Sequence, residues 1–473
     1  MGGLIYIGYA LVLVAAAIAI IHVLMDNRQP AKTMAWVLVI GFIPVVGVVF
    51  YLFFGINHRK ERIINQGQMD ELTKRSMLGF VNQHNFRVPE RQKPLVDLFV
   101  NQNLALPFKD NQVDIMTDGY AFFPELLKDI AAATHHVHIN IYIIEDDALG
   151  NLVADVLKEK ARQGIKVRLI YDDVGCWRVN SRFFEQMREA GVEVAPFLPV
   201  RFPSFTSKVN YRNHRKIIVI DGRVGYIGGM NIARRYVSAK WRDTMLRVQG
   251  GVVYALQRAF LVDWYFVDHT LITDRVYYPP VSEELTDKSQ WLIAQVVTSG
   301  PIARYPEIMQ GFVRIILAAR RYIYIETPYF LPNEPILFAL KTAALAGVDV
   351  RVMCPLSSDA RFIDWASRSY LREIYEAGAR VYLYKPGFLH SKLLISDDSL
   401  VSCGSTNVDF RSLENNFEAN VFIYDEGTAL RLKKVFFDDQ SQAVLLGDVP
   451  NRLQPKFYMR LWESFTRLVS PLL

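Results

Sequence analysis

Cysteine is scarce in this chain, which has three cysteines among 473 residues. Cys176, Cys354 and Cys403 lie far apart, and no two of them form a CxxC pair. The sequence therefore argues against a disulfide framework and against a cysteine-based zinc cluster. We expect the three thiols to be reduced and to fill small spaces in the core of a cytosolic domain.

Acidic residues are too few to balance the basic ones, and the formal net charge is +6. This excess suits a polyanionic partner, either nucleic acid or a membrane surface rich in anionic lipid, and does not distinguish the two. Hydrophobic residues make up 51% of the chain and charged residues 22%. The composition is high in apolar residues for a fully soluble protein, yet too charged for one wholly embedded in a membrane. The length predicts two or three domains.

Charge is absent from two long runs near the amino terminus, residues 4–25 and 33–54. Each run has 22 residues, and a helix needs about 20 apolar residues to cross the hydrocarbon core. The polar stretch between them contains Pro30 and predicts a tight turn. We therefore expect residues 1–57 to form a membrane hairpin of two helices. A signal peptide fits poorly, because no basic stretch precedes the first run and a second apolar run follows at once.

Basic residues indicate how this hairpin is oriented. Arg59, Lys60 and Arg62 follow the second run, whereas the turn holds Arg28 and Lys32. The positive-inside tendency places the large carboxyl-terminal part in the cytoplasm. The two basic residues of the turn leave open a hairpin that dips into one leaflet without spanning the bilayer.

One spaced pattern of six residues occurs twice, and every member is displaced by 176 positions. The first copy is His214, Lys216, Asp221, Gly228, Gly229 and Asn231, and the second is His390, Lys392, Asp397, Gly404, Ser405 and Asn407. Identical spacing over six positions predicts an internal duplication.

Each half also alternates helical and β-rich segments in the same order. Helices predicted over 149–163 and 335–346 are followed by Gly164 and Gly347, where a helix terminator belongs. The alternation predicts an α/β fold with a mixed sheet in each half. The predicted divisions are a connector at 58–110, a first domain at 111–290 and a second domain at 291–473.

The spacing His-x-Lys places both side chains on one face of a strand, because alternate strand residues point the same way. Strongly apolar residues follow Lys216 and Lys392, so each ammonium is predicted to be buried and to need an anion, for which a phosphate is the economical candidate. The glycines of the pattern allow close backbone approach, and Asn231 and Asn407 can donate to phosphate oxygens.

Two such half-sites face to face suit phosphodiester transfer without a metal or other cofactor. One imidazole attacks phosphorus, and the other protonates the leaving alcohol and then deprotonates the incoming one. The lysines and asparagines stabilise the negative charge that develops. Asp243 and Glu418 lie 29 and 28 residues after His214 and His390, and each is expected to hold the imidazole of its own half in the right tautomer.

The two motifs resemble the paired HKD motifs of the phospholipase D superfamily, and the resemblance covers essentially the whole chain. Within that superfamily, several further segments are similar to bacterial cardiolipin synthases. They are the hairpin with Pro44, Gly47, Gly55 and Asn57, and the segments Tyr171-Asp172-Asp173-Val174-Gly175, Thr327-Pro328-Tyr329-Phe330, Arg411-Ser412-Leu413 and Ser470-Pro471-Leu472-Leu473.

The resemblance implies two tandem phospholipase D-like mixed-sheet domains in one pseudo-twofold body. It also implies the reaction: two phosphatidylglycerols give cardiolipin and glycerol through a phosphatidyl-histidine. The expected partners are phosphatidylglycerol and anionic membrane lipid, with no nucleic acid. The expected location is the bacterial cytoplasmic membrane, with the catalytic body facing the cytoplasm.

Carried over position by position, the site is expected to comprise His214, Lys216, Asn231, His390, Lys392 and Asn407. Asp221 and Asp397 complete the motifs and are counted with the candidate catalytic residues, although such aspartates more often support the fold. Gly229 departs from the family pattern, since many members have serine there, as at Ser405. This departure removes one possible hydroxyl donor from the first half.

The resemblance favours His214 as the nucleophile and His390 as the general acid. The flanking Arg212 and Arg215 are expected to reinforce this division, because their charge would lower the pKa of His214 and favour the neutral, attacking imidazole. The second motif has Phe388 and Ser391 nearby in place of that charge.

Several other functions remain open from sequence alone. A phospholipase D hydrolase would use the same motifs with water as acceptor, and a phosphatidylserine-type synthase would differ only in its pocket. A nuclease of the superfamily suits the basic charge but leaves the hairpin unexplained. A catalytically inactive membrane scaffold is disfavoured, because both motifs are complete.

Near the end of the chain, Leu461, Trp462, Phe465 and Leu468 recur at helical spacing together with arginines. They predict a short amphipathic helix. Packing of its apolar face on the core is the default expectation, and contact with the membrane is the alternative.

Overall fold

The computed structural model describes residues 2–25, 30–55, 88–200, 211–281 and 292–470. Its helices are α1 Gly2–Met25, α2 Pro30–Phe42, α3 Pro44–Phe50, α4 Lys93–Asn103, α5 Gly119–Ala132, α6 Ala148–Arg162, α7 Ser181–Glu189, α8 Val252–Asp268, α9 Glu307–Ala318, α10 Glu334–Leu345, α11 Arg361–Glu376, α12 Glu426–Ser441 and α13 Phe457–Val469.

Its strands fall into two sets that follow one another along the chain. They are β1 Pro107–Phe108, β2 Gln112–Met116, β3 His136–Ile141, β4 Lys166–Asp172, β5 Glu193–Phe197, β6 Ile217–Ile220, β7 Val224–Gly228, β8 Trp241–Arg242, β9 Met245–Gln249, β10 Ile293–Ser299, β11 Tyr322–Glu326, β12 Phe330–Leu331, β13 Asp349–Pro355, β14 Arg380–Tyr384, β15 Phe388–Leu389, β16 Leu393–Ser396, β17 Leu400–Gly404, β18 Val408–Asp409, β19 Glu418–Tyr424 and β20 Ala443–Leu445.

The two halves build mixed sheets with the same seven-strand arrangement, and the second sheet has one further strand at each edge, β1 and β20. The first sheet has the order β2-β9-β7-β6-β3-β4-β5, and the second has the order β1-β10-β19-β17-β16-β11-β13-β14-β20. In each sheet three neighbouring strands are parallel, β3-β4-β5 and β11-β13-β14, and the strand that follows the His-x-Lys pattern pairs antiparallel with the first of them. The predicted duplication and the mixed-sheet α/β class are confirmed.

Strand β6 is wholly apolar and β-branched, as strands buried on both faces are, whereas β3 alternates polar residues (His136, His138 and Asn140) with β-branched ones. All residues of β3, β6, β11 and β16 are buried. The helices α6 and α10 end as predicted, because Gly164 and Gly347 take left-handed φ values of 86° and 87° that favour glycine.

The sheets pack against each other around one apolar core. This core contains Ile217 and Val219 of β6, Leu393 and Ile395 of β16, and side chains of α8 and α12. A second core lies between the first sheet and α5, α6 and α7, and a third lies between the second sheet and α9, α10 and α11. The body therefore has a layered architecture: each sheet has helices on its outer side, and the shared core lies between the two sheets. The shared core holds the two halves together.

The described part of the predicted connector belongs to the second half. Leu95 and Phe99 of α4 are buried in the core beneath the second sheet. Strand β1 pairs antiparallel with β10, with Pro107 opposite Gln295. Residues 56–87 lie outside the described residues, and the divisions at 110 and 290 stay a prediction.

The first apolar run forms a helix long enough to cross a membrane, over Tyr6–Met25 of α1. Most of its large side chains, such as Leu11 and Ile18, are exposed. Large apolar side chains left uncovered along a helix of this length indicate contact with lipid.

The prediction of a second continuous helix over 33–54 is wrong. Helix α2 ends at Phe42, Ile43 has non-helical dihedrals, and Pro44 starts α3, which continues into a π-helical turn at Tyr51–Gly55. Proline lacks the N–H of the helical ladder, and its ring disfavours helical backbone in the preceding residue, so the run breaks there.

The broken run folds against α1. Val23, Ile40 and Tyr51 are buried together, and the Tyr51 hydroxyl lies 2.6 Å from Nδ1 of His22. The basic residues Arg28, Arg59, Lys60 and Arg62, on which the predicted orientation depends, lie outside the described residues.

Candidate active site

Both His-x-Lys patterns lie at equivalent places, immediately before the buried strands β6 and β16. Lys216, Lys392 and His390 are buried, and the His214 side chain is 12% exposed. The two strands occupy equivalent positions in two sheets that share a core. Both His-x-Lys patterns therefore lie at the junction between the halves, one on each side of it.

Backbone hydrogen bonds join the two halves at this junction. The His214 N–H donates to the carbonyl of Phe417 at 2.9 Å, and the His390 N–H donates to the carbonyl of Arg242 at 2.7 Å. The short strands β8 and β15 also pair in parallel, with Trp241 opposite Phe388. Each histidine is thus fixed by the residue that precedes the acidic residue of the other half.

The acidic residues consequently cross over. Nδ1 of His214 lies 3.0 Å from Oε1 of Glu418, and Nδ1 of His390 lies 2.6 Å from Oδ2 of Asp243. The expectation that each carboxylate holds the histidine of its own half is wrong. Both carboxylates are fully buried, and an Nδ1–H that donates to either of them leaves Nε2 of that imidazole as its free nitrogen.

The two lysines face the same junction. The Lys216 ammonium donates to the His214 carbonyl at 2.6 Å, and the Lys392 ammonium donates to the His390 carbonyl. Lys392 also lies 2.8 Å from Nδ1 of His390, but one nitrogen cannot accept from Lys392 while it donates to Asp243. We assign the bond to the carboxylate, because a contact to an ionised oxygen is the stronger of the two.

Burial lowers the pKa of both lysines, that of Lys392 to about 8, and the charge of Lys392 lowers the pKa of Lys216 further. Two ammonium groups taken out of water and close to one another create a strong demand for an anion between them. The arrangement therefore favours binding of a phosphate.

Burial also lowers the pKa of both histidines, that of His214 to about 4 and that of His390 to about 3. The lysines lower them further, whereas Glu418 and Asp243 oppose the shift. Both imidazoles are consequently neutral near pH 7 before an anion enters the site.

The flanking arginines do not cause the shift at His214, so that expectation is wrong. Buried Arg212 pairs with Asp172 at 3.4 Å, and buried Arg215 pairs with Asp263 and also donates to the Ser299 carbonyl at 3.1 Å. Their charges are compensated inside the body, and the lysine charges that lower the pKa come from Lys216 and Lys392.

Asp221 and Asp397 lie at the other end of β6 and β16 from the lysines, a span of roughly 13 Å for four strand residues. Asp221 accepts backbone N–H bonds from Thr134, His135 and His136 at 2.8–2.9 Å. Asp397 accepts the equivalent bonds from Arg320, Arg321 and Tyr322 at 2.8–2.9 Å. Both aspartates thus secure the start of the neighbouring strand, which favours a structural role, and a catalytic role for them stays a prediction.

The two asparagines bind neighbouring protein groups. Asn231 accepts from the Ile143 N–H at 3.1 Å and donates to the Tyr236 hydroxyl at 2.6 Å, and Asn407 donates to the Asp409 carboxylate at 3.0 Å. Each amide nitrogen carries a second hydrogen, so donation to a phosphate stays a prediction.

The departure at Gly229 has a steric reason. A Cβ atom at Gly229 would lie 2.1 Å from Oδ1 of Asp243, which leaves no room for serine. At the equivalent place in the second half, the Ser405 hydroxyl donates to Glu418. The first half thus replaces a serine and a glutamate by a glycine and an aspartate.

Aromatic residues that the sequence did not assign to the site surround the histidines. The His390 ring lies 5.3 Å from the Trp241 ring and 5.7 Å from the Phe388 ring, and the His214 ring lies 5.0 Å from the Tyr142 ring. Trp241 lies two residues before Asp243 in the sequence, and this proximity to a candidate site residue could have indicated that Trp241 belongs to the site. These rings exclude water from part of the site.

Among the described residues, no group of three or more His, Cys, Asp or Glu side chains is placed to hold a metal ion. The acidic groups at the junction, Asp243 and Glu418, each bind a histidine. The side chains present suit binding of an anion, and metal-independent transfer stays a prediction.

Comparison with known proteins decides the family. Residues 126–264 and 312–440 match the family described as "Cardiolipin synthase, PLD-like domain", and residues 14–55 match "Phospholipase D-nuclease N-terminal". A cardiolipin synthase from Geobacillus sp. (strain WCH70) is 38% identical, and the alignment covers 100% of this chain and 94% of that protein. The chain belongs to the cardiolipin synthase family.

The major cardiolipin synthase of Bacillus subtilis (strain 168) is 37% identical, with 96% of each protein covered. Among solved structures, the phosphatidylserine synthase of Haemophilus influenzae Rd KW20 matches with a TM-score of 0.62 and 15% identity, over 82% of this chain and 100% of that one. The last likeness concerns the fold. Membership in the cardiolipin synthase family makes the chain a phosphatidyltransferase of the phospholipase D type that acts on phospholipids, and its apolar α1 indicates membrane association.

Proposed function

We propose that this enzyme joins two phosphatidylglycerol molecules into cardiolipin and releases glycerol. The observation that carries the proposal is the pair of crossed contacts, His214 with Glu418 and His390 with Asp243. Two neutral imidazoles, each held at Nδ1 by a buried carboxylate of the other half, provide the nucleophile and the proton carrier that a double displacement needs.

In the proposed first step, Nε2 of His214 attacks the phosphorus of the donor lipid. An N–P bond forms, the P–O bond to the terminal glycerol breaks, and His390 gives its proton to the leaving glycerol oxygen. His390 is neutral in the free protein, so it must take up this proton as the lipid phosphate enters. The negative phosphate next to the imidazole raises its pKa and offsets the two lysine charges.

In the proposed second step, the free hydroxyl of the second phosphatidylglycerol gives its proton to Nε2 of His390. Its oxygen attacks phosphorus, the N–P bond breaks, and His214 is restored. Lys216 and Lys392 stabilise the charge on the non-bridging phosphate oxygens in both steps. The choice of His214 as the attacking residue rests on the family resemblance, because both imidazoles have equivalent partners.

We also propose that the enzyme sits at the bacterial cytoplasmic membrane with its catalytic body in the cytoplasm. The apolar α1 and the match of residues 14–55 support an anchor at this end of the chain. Anionic lipid around the anchor suits the net charge of +6. Because α3 is short and broken from α2, a hairpin with one spanning helix fits these elements better than two equal spans.

The test is incubation of the purified full chain with phosphatidylglycerol in detergent micelles, followed by mass analysis of lipids and water-soluble products. Cardiolipin and glycerol in equal amounts are expected, and neither should form with the His214→Ala or His390→Ala variants. Phosphatidic acid and glycerol without cardiolipin would instead show a hydrolase. Activity that is lost with a chelator and returns only with added metal would contradict the metal-independent mechanism.

A further inference from the structure

The carboxyl-terminal helix α13 packs with its polar side inward. Glu463, Thr466 and Ser470 are buried against α11. Glu463 accepts from Arg372 at 2.7 Å, and the Ser470 hydroxyl lies 3.0 Å from the Tyr370 hydroxyl. The apolar side is therefore not the one that holds the helix to the body, contrary to the default expectation for an amphipathic helix.

The apolar side of α13 is left exposed. We call this surface the terminal apolar face, and its members are Phe457, Tyr458, Leu461, Trp462, Phe465 and Leu468. Their exposure ranges from 45% at Trp462 to 82% at Phe457, so the part of the chain that the structure describes leaves much of this surface uncovered. An exposed cluster of this size on one helix marks a contact surface.

Helix α10 also carries exposed apolar side chains. Glu373 of α11 binds Lys341 of α10 and Arg467 of α13, each at 2.7 Å. Phe338 and Leu345 lie three residues before and four residues after Lys341 on the same side of α10, and both are exposed. Aliphatic and aromatic side chains thus lie on two helices joined through one carboxylate.

A chain of contacts connects the terminal apolar face with the candidate active site. Trp462 contacts Phe362 in the first turn of α11, with 6.4 Å between ring centroids. Just before that turn, Asp359 accepts from the Tyr329 hydroxyl at 2.9 Å, and the Tyr329 ring lies 6.2 Å from that of Phe388, which contacts His390. This chain of contacts links the terminal apolar face to the aromatic side chains of the site on the second half.

We propose that the terminal apolar face lies in the interfacial layer of an anionic phospholipid bilayer and holds the active site against the membrane. Trp462 and Tyr458 are of the types that favour the membrane–water interface. Exposed Arg460 lies on α13 and exposed Lys456 immediately precedes this helix, and their charge complements anionic headgroups. The chain is already attached through α1, which raises the local concentration of bilayer at a second, weaker contact. The membrane contact itself does not depend on the proposed function. Its benefit to catalysis does, since the proposed lipid substrates lie in that bilayer.

The first arm of the test measures depth and does not depend on activity. The full chain carrying Phe465→Cys is labelled with an environment-sensitive fluorophore and reconstituted in vesicles of phosphatidylglycerol and phosphatidylcholine with nitroxide-bearing acyl chains. The native cysteines are buried and should not react. A matched label at Lys128→Cys on α5, whose side chain is 72% exposed, is the control. Quenching at position 465 and none at position 128 is expected.

The second arm separates a membrane contact from a structural role. The double variant Leu461→Ser, Phe465→Ser should reduce cardiolipin formation on vesicles by roughly tenfold or more, yet change it by less than about twofold in detergent micelles. The control double variant Leu152→Ser, Leu430→Ser alters two other exposed leucines and should match the unmodified protein in both assays.

The outcomes are distinct. An unquenched label at position 465, or one whose emission changes with protein concentration and not with lipid, would overturn the proposal, and the latter would assign the face to a second copy of the chain. Equal losses on vesicles and in micelles would also overturn it. If the unmodified protein makes no cardiolipin in micelles, the proposed function fails, and the quenching arm still decides the membrane contact.

Discussion

Glu418 of the second half holds His214 of the first, with Oε1 3.0 Å from Nδ1, and Asp243 holds His390 in the reverse sense at 2.6 Å. Neither half therefore contains a complete histidine–carboxylate pair. The duplication produces one shared site, and each half depends on the other for the orientation of its imidazole.

The crossed pairing predicts which imidazole each carboxylate affects. Glu418→Gln should change the Nδ1 proton resonance and the pKa of His214 and leave those of His390 nearly unchanged, whereas Asp243→Asn should do the opposite. Each variant should lower kcat by about 10²–10⁴, since an amide cannot fix the tautomer as a carboxylate does. Histidine NMR on selectively labelled protein checks the assignment. Resonances that follow the carboxylate of the same half would contradict it.

The lowered pKa of Lys392 predicts an alkaline limit to activity. The ammonium is charged below about pH 8 and loses its proton as the pH rises through that value, so kcat/KM for phosphatidylglycerol should fall above about pH 8. Lys392→Arg should reduce the maximum and change the position of this fall, because a guanidinium stays charged to much higher pH while Lys216 still titrates. The pH profile of kcat/KM reports the free enzyme, and a profile that is flat to pH 10 would exclude Lys392 as the titrating group.

Gly229 and Ser405 occupy equivalent positions, but we expect substitutions at them to affect kcat unequally. Gly229→Ser should displace the Asp243 carboxylate, because a Cβ atom there would lie 2.1 Å from it, and kcat should fall by at least about tenfold. Ser405→Gly removes the hydroxyl that donates to Glu418 and accepts from the Ala419 N–H, but it displaces no carboxylate, so kcat should fall less than in Gly229→Ser. Steady-state kinetics on both variants check the prediction, and equal losses would contradict it.

Asp221 is expected to matter for stability and not for chemistry. Its carboxylate binds three backbone N–H groups and the Thr134 hydroxyl. Asp221→Asn should lower the free energy of unfolding by about 1–3 kcal/mol, while kcat at 20 °C stays within about threefold of the unmodified enzyme. Urea denaturation and kinetics at that temperature separate the two effects. A large loss of kcat in a stably folded variant would return Asp221 to the catalytic set.

The sequence predicted the duplicated mixed sheets and the positions of the histidines and lysines, because spacing along one strand is a local property. It could not predict the crossed carboxylates. Separations of 29 and 28 residues fit a partner in either half, and β8 and β15, which decide the pairing, have two residues each. Strands so short have no periodicity to detect.

Two further predictions from the sequence, the continuous second apolar helix and the inward apolar side of α13, were wrong for physical reasons. Pro44 was a visible signal for a break in the second apolar run, but proline is tolerated in many membrane helices, so its presence did not decide the matter. The amphipathic pattern of α13 was correct, but a pattern does not say which side faces the body. Here Arg372 and Tyr370 supply polar partners for the polar side, and only the tertiary structure shows that.

The central claim, that two histidines from two halves share one transfer reaction through a phosphatidyl-histidine, is tested most directly by trapping. Phosphatidylglycerol is mixed with the His390→Ala and His214→Ala variants separately, the reactions are quenched, and histidine-containing peptides are analysed by mass. The account predicts a phosphatidyl adduct on His214 in the first variant and none on His390 in the second. An adduct on His390 alone would reverse the roles, and continued cardiolipin formation in either variant without any histidine adduct would contradict the mechanism.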